Sequence, residues 1–376
     1  MDNKISYERY QRQLLLKDFG EAGQHKLFQA AVSVIGAGGL GCALLQYLVA
    51  AGVGRIGIID DDIVSLSNLH RQVLYSTDDI GLPKAKQAIK VLSRLNPEID
   101  IIGYNERLTV ANALTLMEEF DIIVDCTDNF ATRYLINDAT FLLDKPLVYG
   151  AVSRFEGQVA IFNCKTVEKP EAVNYRDLYP TPPKDGEILN CEEAGVLGVL
   201  PGIIGAMQAN ETIKLLTGMG RPLINRLLNY DALNNNIYEL ELTARKETRL
   251  LIPADRNAFM TTDYELLCNK AHEQIEIDHA FFDQLLQTGA IDVVDVRELD
   301  EAPLIDAFSS CRIPLGQLAT NLQQIKFGTV VIICQTGKRS LQAAKQLADV
   351  FGSSKKIYSL HGGILQWKHA HSKQLS

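Results

Sequence analysis

Residues 31–60 constrain the fold of this chain more than any other stretch. Ala31-Val32-Ser33-Val34-Ile35 reads as a buried strand and is followed at once by Gly36-x-Gly38-Gly39-x-Gly41 and a helical stretch reaching Ala51. Glycines at that spacing let the backbone turn tightly and approach a phosphate, while the first N–H groups of the helix offer it donors. Arg55-Ile56-Gly57-Ile58-Ile59 is the next strand. Asp60 ends it, about twenty residues past the glycines, where a carboxylate can accept ribose hydroxyls. The alternation continues with a helix over 84–95, a strand over 99–104, a helix over 110–119 and a strand over 121–125. Strands alternating with helices predict an α/β domain with a doubly wound, mostly parallel sheet. Residues 146–150 and 157–162 extend that sheet, a helix over 202–216 covers it, and 227–242 close it.

The glycine pattern alone also suits a nicotinamide dehydrogenase. Ser67-Asn68-Leu69-His70-Arg71-Gln72 and Lys84 point elsewhere, because they set amides and cations after the acid. Hydride transfer has no use for several cations near phosphates. Adenylation does, since negative charge develops on the transferred phosphate and on pyrophosphate. Asp128-Asn129 follows the strand 121–125 at its C-terminal end, where α/β sheets bind ligands, and Asp128 is a candidate Mg²⁺ ligand. Blander roles exist for each residue alone. Lys84 could be a solvated lysine at a helix start, and Asp128 could cap the helix that follows it.

A second alternating unit lies towards the C-terminus. Val330-Val331-Ile332-Ile333 leads directly into Cys334-Gln335-Thr336-Gly337-Lys338-Arg339-Ser340 and then a helix over 340–351. Consecutive N–H groups in such a loop form an anion nest, and the helix start adds partial positive charge. Lys338 and Arg339 are expected to strengthen that field and stabilise a thiolate or a persulfide. A phosphatase loop places arginine six residues after its cysteine. Arg339 is five residues after Cys334, which favours sulfur over phosphate.

Composition excludes several classes. A net charge of −9 argues against nucleic-acid binding, which needs clustered Lys and Arg. Cys42, Cys126, Cys164, Cys191, Cys268, Cys311 and Cys334 are odd in number and include no CxxC pair, so a disulfide framework is not expected. Residues 1–12 are polar and charged, and apolar stretches such as 43–53 are too short to span a bilayer. The expectation is a cytoplasmic protein with no membrane partner.

With these motifs in place, residues 7–242 resemble the MoeB/ThiF family, bacterial relatives of the ubiquitin-activating enzymes. The matching residues are Arg9-Tyr10-x-Arg12-Gln13, 36–41, Asp60, 67–72, Lys84, Asp125-Cys126-Thr127-Asp128-Asn129 and Cys191-Glu192-Glu193-Ala194-Gly195-Val196-Leu197-Gly198. The resemblance implies a Rossmann-like adenylyltransferase domain over 1–243. It would adenylate the C-terminal glycine of a small ubiquitin-like sulfur carrier ending in Gly-Gly. By the same resemblance ATP is held by Gly36, Gly38, Gly39, Gly41, Asp60, Ser67, Asn68, Leu69, His70, Arg71, Lys84, Asp128 and Asn129, with Mg²⁺ on Asp128. Arg71, Lys84 and Asp128 also act in the chemistry, together with Arg12. Arg12 matches an arginine that reaches into a second subunit's site, which implies a homodimer.

Cys191 matches a cysteine that in some members carries a thioester or persulfide-linked adduct and in others is dispensable. A structural half-buried thiol is the plainer role. Glu192 and Glu193 beside it work against a thiolate. Many relatives hold a structural zinc between two CxxC pairs. The first pair's positions here read Asn174-Tyr175-Arg176-Asp177, and the region of the second, 243–260, has no cysteine. No structural zinc is expected, and packing is expected to replace the metal.

Val293-Val294-Asp295-Val296-Arg297-Glu298, 334–340 and Leu360-His361-Gly362-Gly363-Ile364-Leu365-Gln366-Trp367 resemble a single-domain rhodanese, whose loop cysteine carries persulfide sulfur. The resemblance places that domain at 273–376 behind a linker at 244–272. Asp295 and Arg297 are expected to form a structural ion pair. The combined expectation is an enzyme that activates the carrier with ATP and Mg²⁺, then delivers sulfur from Cys334 to give a thiocarboxylate. A cysteine desulfurase is the expected sulfur donor. Two alternatives stay open: a rhodanese-like domain that serves only as a docking module, and a superfamily member that cyclises a small molecule or a tRNA base.

Overall fold

The apolar runs of the first part of the chain pair into one sheet because they are buried on both faces. In the computed structural model, which describes residues 7–166, 170–182, 195–269, 275–302, 305, 307–351 and 355–372, the chain divides into two units, Met1–Cys268 and Asn269–Ser376. Strands β1 (Ala31–Ile35), β2 (Arg55–Ile59), β3 (Asp100–Tyr104), β4 (Ile122–Asp125) and β5 (Leu147–Ser153) are parallel. The antiparallel strands β6 (Glu156–Phe162), β7 (Arg226–Asp231) and β8 (Asn236–Glu241) complete the order β3-β2-β1-β4-β5-β6-β7-β8. Val and Ile dominate β1, β2 and β4, which are buried on successive residues and not on alternate ones, as strands covered by helices on both sides require. Edge strand β8 is exposed along its whole length.

The order reverses at β1, which lies between β2 and β4. That reversal opens a crevice at the strands' C-terminal ends. Helices Gly39–Ala51 and Val199–Thr217 pack together on one face. A Cβ on Gly205 would come within 2.2 Å of the Leu40 carbonyl oxygen, so only glycine permits this approach. The other face is covered by helix Phe130–Leu142 and a buried aromatic cluster of Tyr134, Tyr149, Phe162 and Tyr175.

The stretch expected to link the domains, 244–272, is largely part of the first unit. Lys246–Arg249, Arg256–Met260 and Tyr264–Asn269 are helices. Phe259 and Tyr264 are buried in the first unit's core, and the Tyr264 hydroxyl donates to Asp138 Oδ2 at 2.9 Å. Polar composition suggested a linker, but these two aromatic anchors draw the chain back onto the domain.

The second unit is a five-stranded parallel sheet. It comprises β9 (Glu276–Ile277), β10 (Ile291–Asp295), β11 (Cys311–Arg312), β12 (Thr329–Ile333) and β13 (Lys356–Leu360), in the order β11-β10-β12-β13-β9. Helices His279–Thr288, Lys338–Phe351 and Gly363–Ser372 contribute to its two small cores. At the end of β10, Arg297 is fully buried and paired with Asp295, Nη2 to Oδ2 at 2.7 Å, and Arg312 meets the same carboxylate. A pair this buried is held for its geometry, and removing either member would strand a charge.

Candidate functional site

The crevice at the switch point is a cavity of about 330 Å³. Backbone hydrogen bonds set its floor. Gly36 N donates to the Ile59 carbonyl and Cys126 N to the Ile35 carbonyl, each at 2.9 Å, so the loops after β1, β2 and β4 converge. Gly36 has φ +93°, and a Cβ there would lie 2.8 Å from the Cys126 carbonyl oxygen. At Gly41 a Cβ would lie 2.1 Å from the Gly36 carbonyl oxygen. Gly41 therefore serves the packing of the turn and does not line the cavity, whereas Gly36, Gly38 and Gly39 do.

Asp60 braces the turn from the side. Its Oδ2 accepts from Ala37 N at 2.7 Å and its Oδ1 from Asp62 N at 2.9 Å. Burial pushes its carboxyl above the usual range, opposed by the Ala37 N–H and the Lys84 charge. Lys84 is only 4% exposed, which removes its reading as a solvated surface lysine. Its Nζ donates to Asp62 Oδ2 at 2.8 Å, and its backbone N to the Asp62 carbonyl.

Asn129, not Asp128, caps helix Phe130–Leu142, with Oδ1 accepting from Thr132 N at 2.9 Å. Asp128 is thereby left exposed on the cavity wall, with no hydrogen-bond or ion-pair partner among the described residues. A carboxylate in that position fits a magnesium ion shared with substrate phosphates. Behind it Arg133 donates to the Thr127 carbonyl at 2.9 Å and lies over the Tyr149 ring, fixing the 125–129 turn.

Of the sequence-predicted nucleotide residues, the cavity gathers Gly36, Gly38, Gly39, Asp60, Arg71, Lys84, Asp128 and Asn129. Ser67, Asn68, Leu69 and His70 do not line it. The Arg71 guanidinium is hydrogen-bonded to the Ser67 carbonyl and to His70 Nε2, and Leu69 packs against the core, so this turn places Arg71. Arg12 is exposed on helix Tyr7–Leu14 and is not among the residues lining the cavity. Cys191 lies outside the described residues.

Three residues were missed. Asp62 holds Lys84, and Arg133 holds the Asp128 turn. Gln72 is 3% exposed, lines the cavity, and has an Oε1 with no partner among the described residues. It ends the string 67–72, but only its burial separates it from ordinary loop amides. An unsatisfied buried amide facing a cavity is suited to a ligand donor.

In the second unit Cys334 leaves the end of β12 and is 1% exposed. Gly337 N and Ser340 N donate to its Sγ at 3.2 and 3.3 Å, while its thiol points at Ser340 Oγ, 3.4 Å away. The loop carbonyls are engaged outward. Ile364 N takes the Cys334 carbonyl at 2.9 Å and Leu365 N the Gln335 carbonyl at 3.1 Å. With carbonyls tied to the start of helix Gly363–Ser372, amides are left to face the sulfur, as an anionic sulfur requires. The two cations expected to strengthen this field are not equivalent. Arg339 is bound by both oxygens of Glu301, and of the two only Lys338 is free of an ion pair among the described residues.

Three of the other cysteines are poor nucleophiles. Burial pushes the Cys42 thiol up to about 12, Cys126 well above its usual range, and Cys164 in the same direction. At the positions of the first CxxC pair, Asn174 and Asp177 form a hydrogen-bonded node instead of a metal site. Asp177 Oδ2 accepts from Asn174 N and Nδ2, each at 2.8 Å. Its Oδ1 accepts from Arg245 N at 2.9 Å and from the Thr248 hydroxyl. Such a set has no thiolate or imidazole and does not fit tetrahedral zinc. It joins the same two chain segments through one carboxylate, where the sequence had suggested packing alone.

A glycine-turn crevice lined by cations and carboxylates in one unit and an amide-lined cysteine in the other fit an enzyme that joins nucleotide activation to sulfur handling. Comparison with known proteins agrees. Residues 10–251 match the ThiF family and residues 278–370 the rhodanese-like domain, and the chain belongs to the ThiF family. It is 48% identical over 266 residues to the sulfur carrier protein adenylyltransferase of Thermus thermophilus, covering 70% of this chain and 97% of that one. It is 39% identical to the probable adenylyltransferase/sulfurtransferase MoeZ of Mycobacterium tuberculosis, covering 96% of this chain and 92% of the relative. For the adenylyltransferase and sulfurtransferase MOCS3 of Xenopus laevis the values are 35%, 96% and 85%. A crystal structure of E. coli MccB with MccA-N7isoASN shares the fold of the first unit's class, with a TM-score of 0.56 at 21% identity over 65% of this chain and 74% of that one. The chain is accordingly an adenylyltransferase with a sulfurtransferase domain.

Proposed function

We propose that this enzyme adenylates the C-terminal glycine of a small ubiquitin-like sulfur carrier and converts it to a thiocarboxylate. The observation that carries the reading is the presence in one chain of the Asp60–Lys84–Asp128 crevice and the amide-lined Cys334. A carrier carboxylate oxygen attacks the α-phosphorus of ATP, the bond to the bridging oxygen breaks, and pyrophosphate leaves. Arg71 and Lys84 offset the charge that develops, while the glycine turn presents backbone N–H groups. Magnesium held at Asp128 would neutralise charge on the departing pyrophosphate. The terminal sulfur of a Cys334 persulfide then attacks the acyl carbon and expels AMP, leaving an acyl disulfide. Attack by a second thiol, for which Cys191 is the candidate within this chain, frees the thiocarboxylate. It leaves a disulfide that an external dithiol reduces.

The same reading assigns Arg12 to the crevice of a second copy in a homodimer, and a cysteine desulfurase as the source of persulfide sulfur. Mass spectrometry after incubation with ATP, a sulfur donor and carriers ending in Gly-Gly tests it. A carrier heavier by the exchange of oxygen for sulfur is expected. Adenylate without thiocarboxylate would reduce the second unit to a docking module, and no adenylate on any such carrier would point to a small-molecule substrate.

A further inference from the structure

Lys338 and Arg339 both open helix Lys338–Phe351 beside Cys334, yet their charges are not equally available. Arg339 gives both terminal nitrogens to Glu301, Nη1 to Oε1 at 2.5 Å and Nη2 to Oε2 at 2.6 Å. Glu301 is not recruited by the arginine alone. Glu298 N donates to its Oε1 at 2.9 Å, which anchors the carboxylate to the turn after β10. Exposed Glu298 and Asp300 sit on that same turn. The sulfur itself is hydrogen-bonded by neutral donors, Gly337 N and Ser340 N, and the Arg339 guanidinium acts on it through its charge and not through a hydrogen bond. Lys338 already offers one cation at the loop, and a released Arg339 guanidinium would give an incoming small anion a second, planar one.

We propose that Glu301 is a positioning residue that selects the sulfur donor of Cys334. By holding Arg339 it withholds the guanidinium from small dianionic sulfane donors, so that sulfur arrives from a persulfide carried on a protein. This rests on the sulfur-transfer reading of Cys334. The reaction with a small donor is balanced with thiosulfate. The Cys334 thiolate attacks the outer sulfur, the S–S bond breaks, and sulfite leaves with the bonding pair. Cyanide then removes the terminal sulfur as thiocyanate and restores the thiolate.

The test is thiosulfate:cyanide sulfur transfer by the full-length enzyme, comparing wild type, Glu301→Gln, Glu301→Asp, Arg339→Ala and the double variant Glu301→Gln/Arg339→Ala. Glu301→Gln is expected to lower KM for thiosulfate on the order of tenfold at low salt, with kcat little changed. The gain should shrink at high salt, and Glu301→Asp should stay near wild type. In the Arg339→Ala background the Glu301→Gln gain should vanish. An unchanged or raised KM in Glu301→Gln, a gain that persists without Arg339, or no turnover in any variant would each overturn the proposal. Persulfide on Cys334, loaded by a cysteine desulfurase with cysteine and read as one added sulfur absent from Cys334→Ala, reports separately on the underlying reading. If it forms while KM is unmoved, donor selection alone fails. If it does not form, sulfur transfer by Cys334 fails with it.

Discussion

Lys84, Asp128 and Gln72 illustrate how residues of similar sequence prominence separate once their surroundings are known. Lys84 is buried against Asp62, Asp128 is released from capping by Asn129, and Gln72 holds an unsatisfied oxygen at the cavity. Replacing Lys84 with Ala should lower kcat/KM for ATP–pyrophosphate exchange by about 10²–10³, the scale for losing one charged donor to a transition state. Gln72→Ala removes a binding contact more than a charge. It should raise KM for ATP by about tenfold with a smaller change in kcat, a split that steady-state exchange kinetics can resolve. Equal loss in both parameters would place Gln72 in the chemical step instead.

At the scale of elements, two segments are held by carboxylates that no motif announces. Asp177 ties the turn at 174–178 to the start of helix Lys246–Arg249. Asp177→Ala should cost about 2–4 kcal/mol in urea unfolding, because several buried donors lose their acceptor together. A chelator should leave the wild-type midpoint unchanged, and a chelator-induced fall would reinstate a metal. Glu301 offers a pH test. Its carboxyl is lowered from 4.5 to about 2, first by the Arg339 hydrogen bonds and then by Glu298 N. A lowered folded-state value stabilises the fold at pH above 4.5, and that contribution is lost as pH falls towards 2. Glu301→Gln should flatten the stability profile of the second unit across that window and leave it parallel to wild type near neutrality.

Across the whole molecule, each of the two units carries its own sheet and its own cores, and each holds one of the two candidate sites. Cys334→Ala should therefore keep ATP–pyrophosphate exchange at the wild-type rate while abolishing thiocarboxylate formation, measured on the same preparation. A fall in exchange would mean that the units are energetically coupled. Among the described residues no helix is long and apolar enough to cross a membrane.

Much of this arrangement was legible in the sequence because local physics writes it there. Val/Ile-rich runs that end in a tight turn or an acid specify buried parallel strands and the positions of Gly36, Asp60 and Cys334, whatever the distant contacts. What depends on residues far apart in the chain was not legible. Phe259 and Tyr264 convert an expected linker into part of the first unit. Ser67 to His70 place Arg71 without lining the crevice themselves. Glu301, 38 positions before Arg339, pairs with a cation that local reading had counted wholly towards the field at Cys334. Sequence by itself determined the two chemistries and the loops that hold them. Tertiary structure alone decided which charges those loops can use, because a charge is set by the partner that folding brings to it.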